Sequence, residues 1–107
     1  MTIAARLIGT TLLLASLSGA AFAQQYPSGP VTIVVPFTPG GSTDILGRLA
    51  AEVLQNEFKQ TVVVENRTGA GGIVGNASVA RSAPDGHTLL LAPTAFSIVP
   101  FISKNVP

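Results

Sequence analysis

The sequence predicts an α/β fold, a βαβαβ unit around a parallel sheet. Three short apolar runs supply the strands, at Val31–Val35, Thr61–Glu65 and Thr88–Ala92. Their apolar residues are nearly continuous, which is typical of strands that helices cover on both faces. Two helical patterns separate the runs, so we expect each connection to be a right-handed crossover.

The longer helical pattern lies between the first two runs. Ile45, Leu49 and Val53 recur every four residues, while Arg48 and Glu52 fall on the other side. Further apolar residues accompany them at Leu46, Ala50, Leu54 and Phe58. This spacing predicts an amphipathic helix of about four turns.

A shorter helix is predicted between the second and third runs, where Ile73, Ala77 and Ala80 are apolar. The segment Ala83–Gly86 ends it with the triplet Pro-Asp-Gly. This triplet predicts a turn because Pro fixes φ, Asp bonds its own backbone and Gly accepts a positive φ.

Residues 1–23 have the three parts of a secretory signal peptide. Arg6 precedes an uncharged stretch at Leu7–Leu17, and Ala21-Phe22-Ala23 places small residues where a signal peptidase reads. We expect cleavage after Ala23, which leaves residues 24–107 as the exported part. The alternative is an uncleaved membrane anchor, for which the apolar stretch is short and interrupted by Thr, Ser and Gly.

Composition narrows the classes of function. The 107 residues are 47% hydrophobic and 10% charged, which excludes a disordered tail. The formal net charge is +1, and the signs balance without Arg6, so we expect no nucleic-acid partner. With no cysteine and one histidine, His87, we expect no disulfide, metal or cofactor.

The first loop, Pro36–Asp44, follows the first strand at the sheet edge where open α/β folds bind ligands. Gly40 and Gly41 let the backbone turn sharply and approach a ligand. The helix that begins at Ser42 or Thr43 presents unpaired N–H groups and the positive end of its dipole. These features suit a carboxylate or a phosphate, and a plain tight turn is the alternative.

Three side chains of the first loop have two interpretations each. The hydroxyls of Ser42 and Thr43 either add donors to the site or cap the helix. Asp44 is expected to support the helix start, because a carboxylate pointed into the site would repel an anion.

The second turn, Asn66–Gly75, imitates a dinucleotide fingerprint, with glycines at positions 69 and 71. The third glycine is displaced, since position 74 is Val, and there is no P-loop run. Arg67 is either a partner for a ligand carboxylate or a surface charge paired with a nearby acid. His87 would have to serve any Ser-His-Asp site and no G-x-S-x-G elbow exists, so we expect no catalytic residues.

Five ordered motifs resemble the tripartite tricarboxylate transporter substrate-binding family, also called Bug receptors. They are Tyr26-Pro27 followed by Val31–Pro36, then Pro39–Asp44, Val62–Arg67, Gly69–Gly72 and Ala83–Leu89. The resemblance implies a non-catalytic periplasmic receptor with two α/β lobes. Such a receptor closes on a small carboxylate and delivers it to a membrane permease.

The resemblance also implies where the ligand lies. The first loop should form one jaw, with the second turn on the same rim and Pro93–Phe96 as the third loop. The candidate ligand-binding residues are Phe37, Pro39, Gly40, Gly41, Ser42, Thr43, Gly69, Ala70, Gly71 and Thr94.

Members of that family are several times longer, so we expect residues 24–107 to be an incomplete first lobe of a periplasmic-binding-protein-like fold. Without the opposing jaw, ligand binding by this chain alone should be weak or absent. Two other interpretations stay open: a fragment of a nucleotide- or phosphate-using α/β enzyme, and a non-functional truncated remnant.

Overall fold

A computed structural model describes residues 25–104 and Val106, so the predicted signal peptide at 1–23 lies outside the described residues. Within that range the strands β1 (Val31–Val35), β2 (Val62–Asn66) and β3 (Thr88–Leu90) form one parallel sheet in the order β2-β1-β3. The predicted βαβαβ order is confirmed. The ends of β2 and β3 differ from prediction by one or two residues.

The central strand β1 forms the core. Val31, Val34 and Val35 are 0% exposed because a strand pairs with β1 on each side and a helix packs on each face. Fully burying a valine side chain stabilises a fold by roughly 1.5–3 kcal/mol, so this short strand carries much of the hydrophobic stabilisation.

Helix α1 (Ser42–Phe58) packs on β1 and β2, and it lies closest to the sheet at its smallest residues. Gly47 and Ala51 are buried, and a Cβ added at Gly47 would lie 2.9 Å from Cγ2 of Val35. The helix therefore lies too close to the sheet for a larger side chain at position 47.

The apolar residues of the predicted helix divide between two sides of α1. Ala50, Leu54 and Phe58 pack against the core, whereas Ile45, Leu49 and Val53 are 54%, 55% and 60% exposed and point away from the sheet. The physical reason is the close approach at Gly47, which turns the small-residue face inward.

Helix α2 (Ile73–Ala80) packs on β3 and β1. Val35 faces Gly47 of α1, whereas the next residue, Pro36, faces Gly75 of α2. Because successive residues of an extended chain point to opposite faces, α1 and α2 cover the two faces of the sheet.

Helix α3 (Ala95–Ile102) was not predicted. Pro100 lies inside it, and a proline normally indicates that a helix has ended. The helix has no buried residue, and Phe101 and Ile102 are 89% and 77% exposed. In the described part of the chain, no helix combines the length and apolar character needed to cross a membrane.

Candidate functional site

The first loop lies at the carboxyl edge of the sheet, immediately after β1. Pro36 is buried, whereas residues 38–42 are exposed. Gly41 is the N-cap of α1, with φ −77° and ψ 169°, and no side chain caps this helix. The alternative in which a hydroxyl of Ser42 or Thr43 caps α1 is therefore wrong.

The start of α1 leaves main-chain donors without a helical partner. The first hydrogen bond of the helix runs from the Ile45 N–H to the Gly41 carbonyl at 3.0 Å. The N–H groups of Ser42, Thr43 and Asp44 precede it and therefore have no acceptor within the helix. Ser42 is exposed and Thr43 is half-buried, so this end of the helix is open to a solute.

The side chain of Asp44 is buried, and its oxygens accept hydrogen bonds from other residues of the protein. The residue is 3% exposed, and its Oδ2 accepts hydrogen bonds from the Gly40 N–H at 2.9 Å and the Arg48 Nε at 3.0 Å. The Gly40 hydrogen bond, followed by those from Arg48 and Asn66, lowers the pKa of Asp44 from 3.8 to about 2. The carboxylate supports the helix start, as predicted.

Asn66 is a member of the site that the sequence analysis missed. It is the last residue of β2 and lies opposite Val35 of β1. Its Nδ2 donates to the Phe37 carbonyl at 3.0 Å and to Oδ1 of Asp44 at 2.9 Å. The available signal was an amide side chain that ends an apolar strand at the carboxyl edge.

The second turn contains a run of left-handed backbone. Gly69, Ala70, Gly71 and Gly72 have φ values of 134°, 48°, 66° and 97°, and Ala70–Gly72 forms a 3₁₀ turn. A Cβ added at Gly72 would lie 3.7 Å from Cζ of Phe37. The second turn and the first loop therefore lie side by side.

Gly75, the displaced third glycine of the motif, has a packing role. A Cβ added there would lie 2.7 Å from the Arg67 carbonyl oxygen and 2.8 Å from Cβ of Pro36. The absence of a side chain lets α2 lie directly against the end of β1 and the start of the second turn.

Arg67, which follows β2, pairs with Glu65 near the end of that strand. Its Nε and Nη2 donate to the two carboxylate oxygens of Glu65 at 2.7 and 3.0 Å. This contact lowers the pKa of Glu65 and raises the pKa of Arg67. The structure therefore agrees with the interpretation in which Arg67 is a surface charge paired with a nearby acid.

The third loop leads directly into α3. Thr94 is exposed, and its carbonyl accepts the Ser97 N–H at 3.1 Å. Helix α3 contacts the 3₁₀ turn, so the third loop joins the rim that the second turn and the first loop form. The ten candidate ligand-binding residues thus all lie at the carboxyl edge, with Ser42 and Thr43 in the first turn of α1 and the others in the loops and turns beside it.

A second polar cluster lies at the opposite, amino-terminal edge. The Tyr26 hydroxyl donates to the Gly86 carbonyl at 2.6 Å, and Ser28 Oγ lies 3.3 Å from Nε2 of His87. The Asp85 carboxylate accepts the His87 backbone N–H at 2.9 Å, which confirms the predicted turn. These contacts tie the segment before β1 to the turn before β3.

A cavity of about 580 Å³ also lies at the amino-terminal edge, between Tyr26, Phe58 and Lys59. It is distant from the loops that follow the strands. Because ligands of open α/β sheets bind beyond the carboxyl ends of the strands, volume alone does not make this cavity the ligand site.

Comparisons with known proteins agree on one family. The family described as "Tripartite tricarboxylate transporter family receptor" matches residues 46–107. BugT of Bordetella pertussis is 44% identical over 112 residues, which cover 99% of this chain and 34% of BugT. The chain therefore spans about a third of the length of this relative.

Two solved structures match the fold. A TctC solute binding protein from Polaromonas, crystallised without ligand, has a TM-score of 0.68 and 35% identity, over 76% of this chain and 29% of its own. MatC from Rhodopseudomonas palustris with bound malate has a TM-score of 0.59 and 45% identity, over 61% and 22% of the two chains. The parallel unit described above thus matches part of the TctC fold. The chain belongs to the tripartite tricarboxylate transporter receptor family.

Proposed function

We propose that this chain supplies one jaw of a receptor cleft that captures a small carboxylate without catalysing a reaction. The observation that carries the proposal is the start of α1, where the N–H groups of Ser42 and Thr43 lack helical acceptors at the carboxyl edge. Main-chain donors and the helix dipole favour an anion at such a place. Membership of a receptor family, and the malate bound to MatC, support a carboxylate as that anion.

In this proposal the first loop contacts the ligand most directly. The amides of Ser42 and Thr43 bind one carboxylate group, and Gly40 and Gly41 let the backbone approach it. The side chain of Phe37 lines the jaw. The remaining candidates complete the rim: Pro39, Gly69, Ala70, Gly71 and Thr94.

We also propose export to the periplasm and transfer of the ligand to a membrane permease. The motif at 1–23 supports export, and the name of the family supports a permease partner. Mass spectrometry of protein from the periplasm should find a chain that begins at Gln24. A full-length chain in washed membranes would contradict cleavage after Ala23.

The binding proposal can be tested by nuclear magnetic resonance on isotope-labelled chain purified after export. Because the chain spans about a third of the length of BugT, we expect dissociation constants of about a millimolar or weaker. Malate should shift the amide signals of Ser42 and Thr43, and its neutral dimethyl ester should not. Inorganic phosphate serves as a second anion, and a stronger response to it would favour a phosphate ligand.

Two substitutions at one position separate the main-chain donor from the hydroxyl. Ser42→Pro removes the N–H, and the first helical position tolerates proline because Gly41 before it is extended. Ser42→Ala removes the hydroxyl and keeps the N–H. We expect the Thr43 response to malate to survive in Ser42→Ala and to fall sharply in Ser42→Pro. Equal responses in the two variants, or no response in the parent, would overturn the proposal.

A further inference from the structure

One pair of side chains holds the first loop at two points. Nδ2 of Asn66 donates to the Phe37 carbonyl at 3.0 Å, near the start of the loop. Oδ2 of Asp44 accepts the Gly40 N–H at 2.9 Å, at the turn itself. The two side chains are joined to each other by a hydrogen bond of 2.9 Å. We call this pair the Asn66–Asp44 clamp.

We propose that Asn66 and Asp44 are positioning residues, which set the shape of the carboxylate-binding loop without touching the ligand. The inference rests on the proposed function, because it assigns the clamp a purpose in binding. Neither side chain has a free donor for an anion. Both N–H groups of the Asn66 amide are used, and an ionised carboxylate accepts hydrogen bonds only.

The chemistry of the clamp requires an amide at position 66. One nitrogen must donate simultaneously to a carbonyl and to a carboxylate, and a primary amide has two N–H groups for this purpose. A carboxylate at position 66 would offer no donor and would place a second negative charge beside Asp44. Arg48 makes a different contact, because its Nε donates to Oδ2 of Asp44, the oxygen that also accepts the Gly40 N–H.

The Asp44 side of the clamp is buried beneath an exposed loop, and Asn66 is half-buried. The Asp44 side chain is 4% exposed, whereas residues 38–42 above it are exposed. Without the clamp, the Phe37 carbonyl and the Gly40 N–H would turn to water and the loop would sample more conformations. The ligand would then have to order the loop on binding, which weakens its affinity.

The test compares Asn66→Ala with Val62→Ala, which removes buried volume at the other end of the same strand. Binding is measured as the initial slope of the Ser42 and Thr43 amide shifts plotted against malate concentration. Stability is measured as the melting temperature of each variant. We expect Asn66→Ala to reduce the slope by about threefold to tenfold, since one or two hydrogen bonds are lost. Val62→Ala should lower the melting temperature and leave the slope within twofold of the parent.

A second variant tests the charge argument. Asn66→Asp should reduce the slope more than Asn66→Ala, whereas Asn66→Gln, which keeps both donors, should recover part of it. Equal slopes in the parent, Asn66→Ala and Val62→Ala would overturn the positioning role. A larger slope in Asn66→Asp than in Asn66→Ala would overturn the account of the charges.

Amide hydrogen exchange tests the clamp without any ligand. In Asn66→Ala, exchange at Gly40 should accelerate about threefold to tenfold relative to the core amide of Ile33, and in Val62→Ala this ratio should stay unchanged. An unchanged ratio in Asn66→Ala would show that no clamp holds the loop. If the ratio changes but malate shifts no amide in the parent, the clamp stands as a structural device and the binding function fails.

Discussion

The carboxylate of Asp44 accepts the backbone N–H of Gly40 at 2.9 Å, so the first turn of α1 reaches back and holds the residue that precedes its N-cap. An acid at this place is stabilised by the positive end of the helix dipole. The bond also uses the Gly40 N–H, so the amides left for a solute are those that follow Gly40. One buried acid therefore defines which donors the first loop presents.

The contribution of Asp44 to stability should depend on pH in a defined window. Because the pKa of Asp44 is 3.8 ordinarily and about 2 in the folded chain, the unfolded chain binds more protons between these values. The stabilisation is then complete well above pH 3.8 and is lost as the pH falls through about 2. Urea unfolding of the parent and of Asp44→Asn should differ by a constant free energy at neutral pH, and the difference should shrink towards pH 2. A difference that grows on acidification would contradict this assignment.

Removing the counter-charge of Asp44 should weaken anion binding. Arg48→Gln leaves the Asp44 carboxylate, which lies in the same first turn of α1 as the proposed site, without its cationic partner. Arg67→Gln makes the same change of net charge, but at a pair formed with Glu65. We expect the malate response of Ser42 to fall by roughly twofold or more in Arg48→Gln relative to Arg67→Gln at low ionic strength. Equal responses would show that the local pair does not matter.

Alanine at Gly75 should destabilise the fold although it favours helix. A Cβ there would lie 2.7 Å from the Arg67 carbonyl oxygen, and backbone cannot easily yield. We expect overpacking to cost roughly 1–3 kcal/mol and to outweigh the gain in helix propensity of about 1 kcal/mol. Chemical unfolding of Gly75→Ala and of Gly29→Ala, whose Cβ would meet nothing within 4 Å, tests this. A Gly75→Ala chain as stable as the parent would show that the contact relaxes.

A polar substitution should have little effect on stability on one side of α1 and should destabilise the fold on the other. Leu49 is 55% exposed and Ala51 is 7% exposed. Leu49→Gln should change the free energy of unfolding by less than about 0.5 kcal/mol and should reduce self-association, because it interrupts an exposed apolar stripe. Ala51→Gln should destabilise by at least about 1 kcal/mol through overpacking and burial of an amide. Sedimentation velocity and urea unfolding report the two effects, and a destabilised Leu49→Gln would mean that the stripe is covered.

Local signals were enough to predict the strands, the two crossover helices and the place of the first loop. Val31–Val35 is apolar and β-branched, and the glycines and prolines that follow it mark a turn wherever the chain lies in space. The helix α3 was not predicted, and Pro100 inside it is a local signal against a helix. Periodicity predicted the amphipathic helix α1, of which Ala50, Leu54 and Phe58 pack against the core, but it did not predict that Gly47 and Ala51 would be buried beside them.

The sequence by itself determined the order of the elements and the residues at the carboxyl edge, because both follow from short-range preferences of the backbone. Only the tertiary structure decided what joins the edge into one site. Asn66 lies 29 residues from Phe37 and 22 from Asp44 in the chain, and the pairing of β2 with β1 brings it to both. The same sheet decided that α1 packs through Gly47, because two surfaces in close contact select the side chain that fits between them and not the most apolar one.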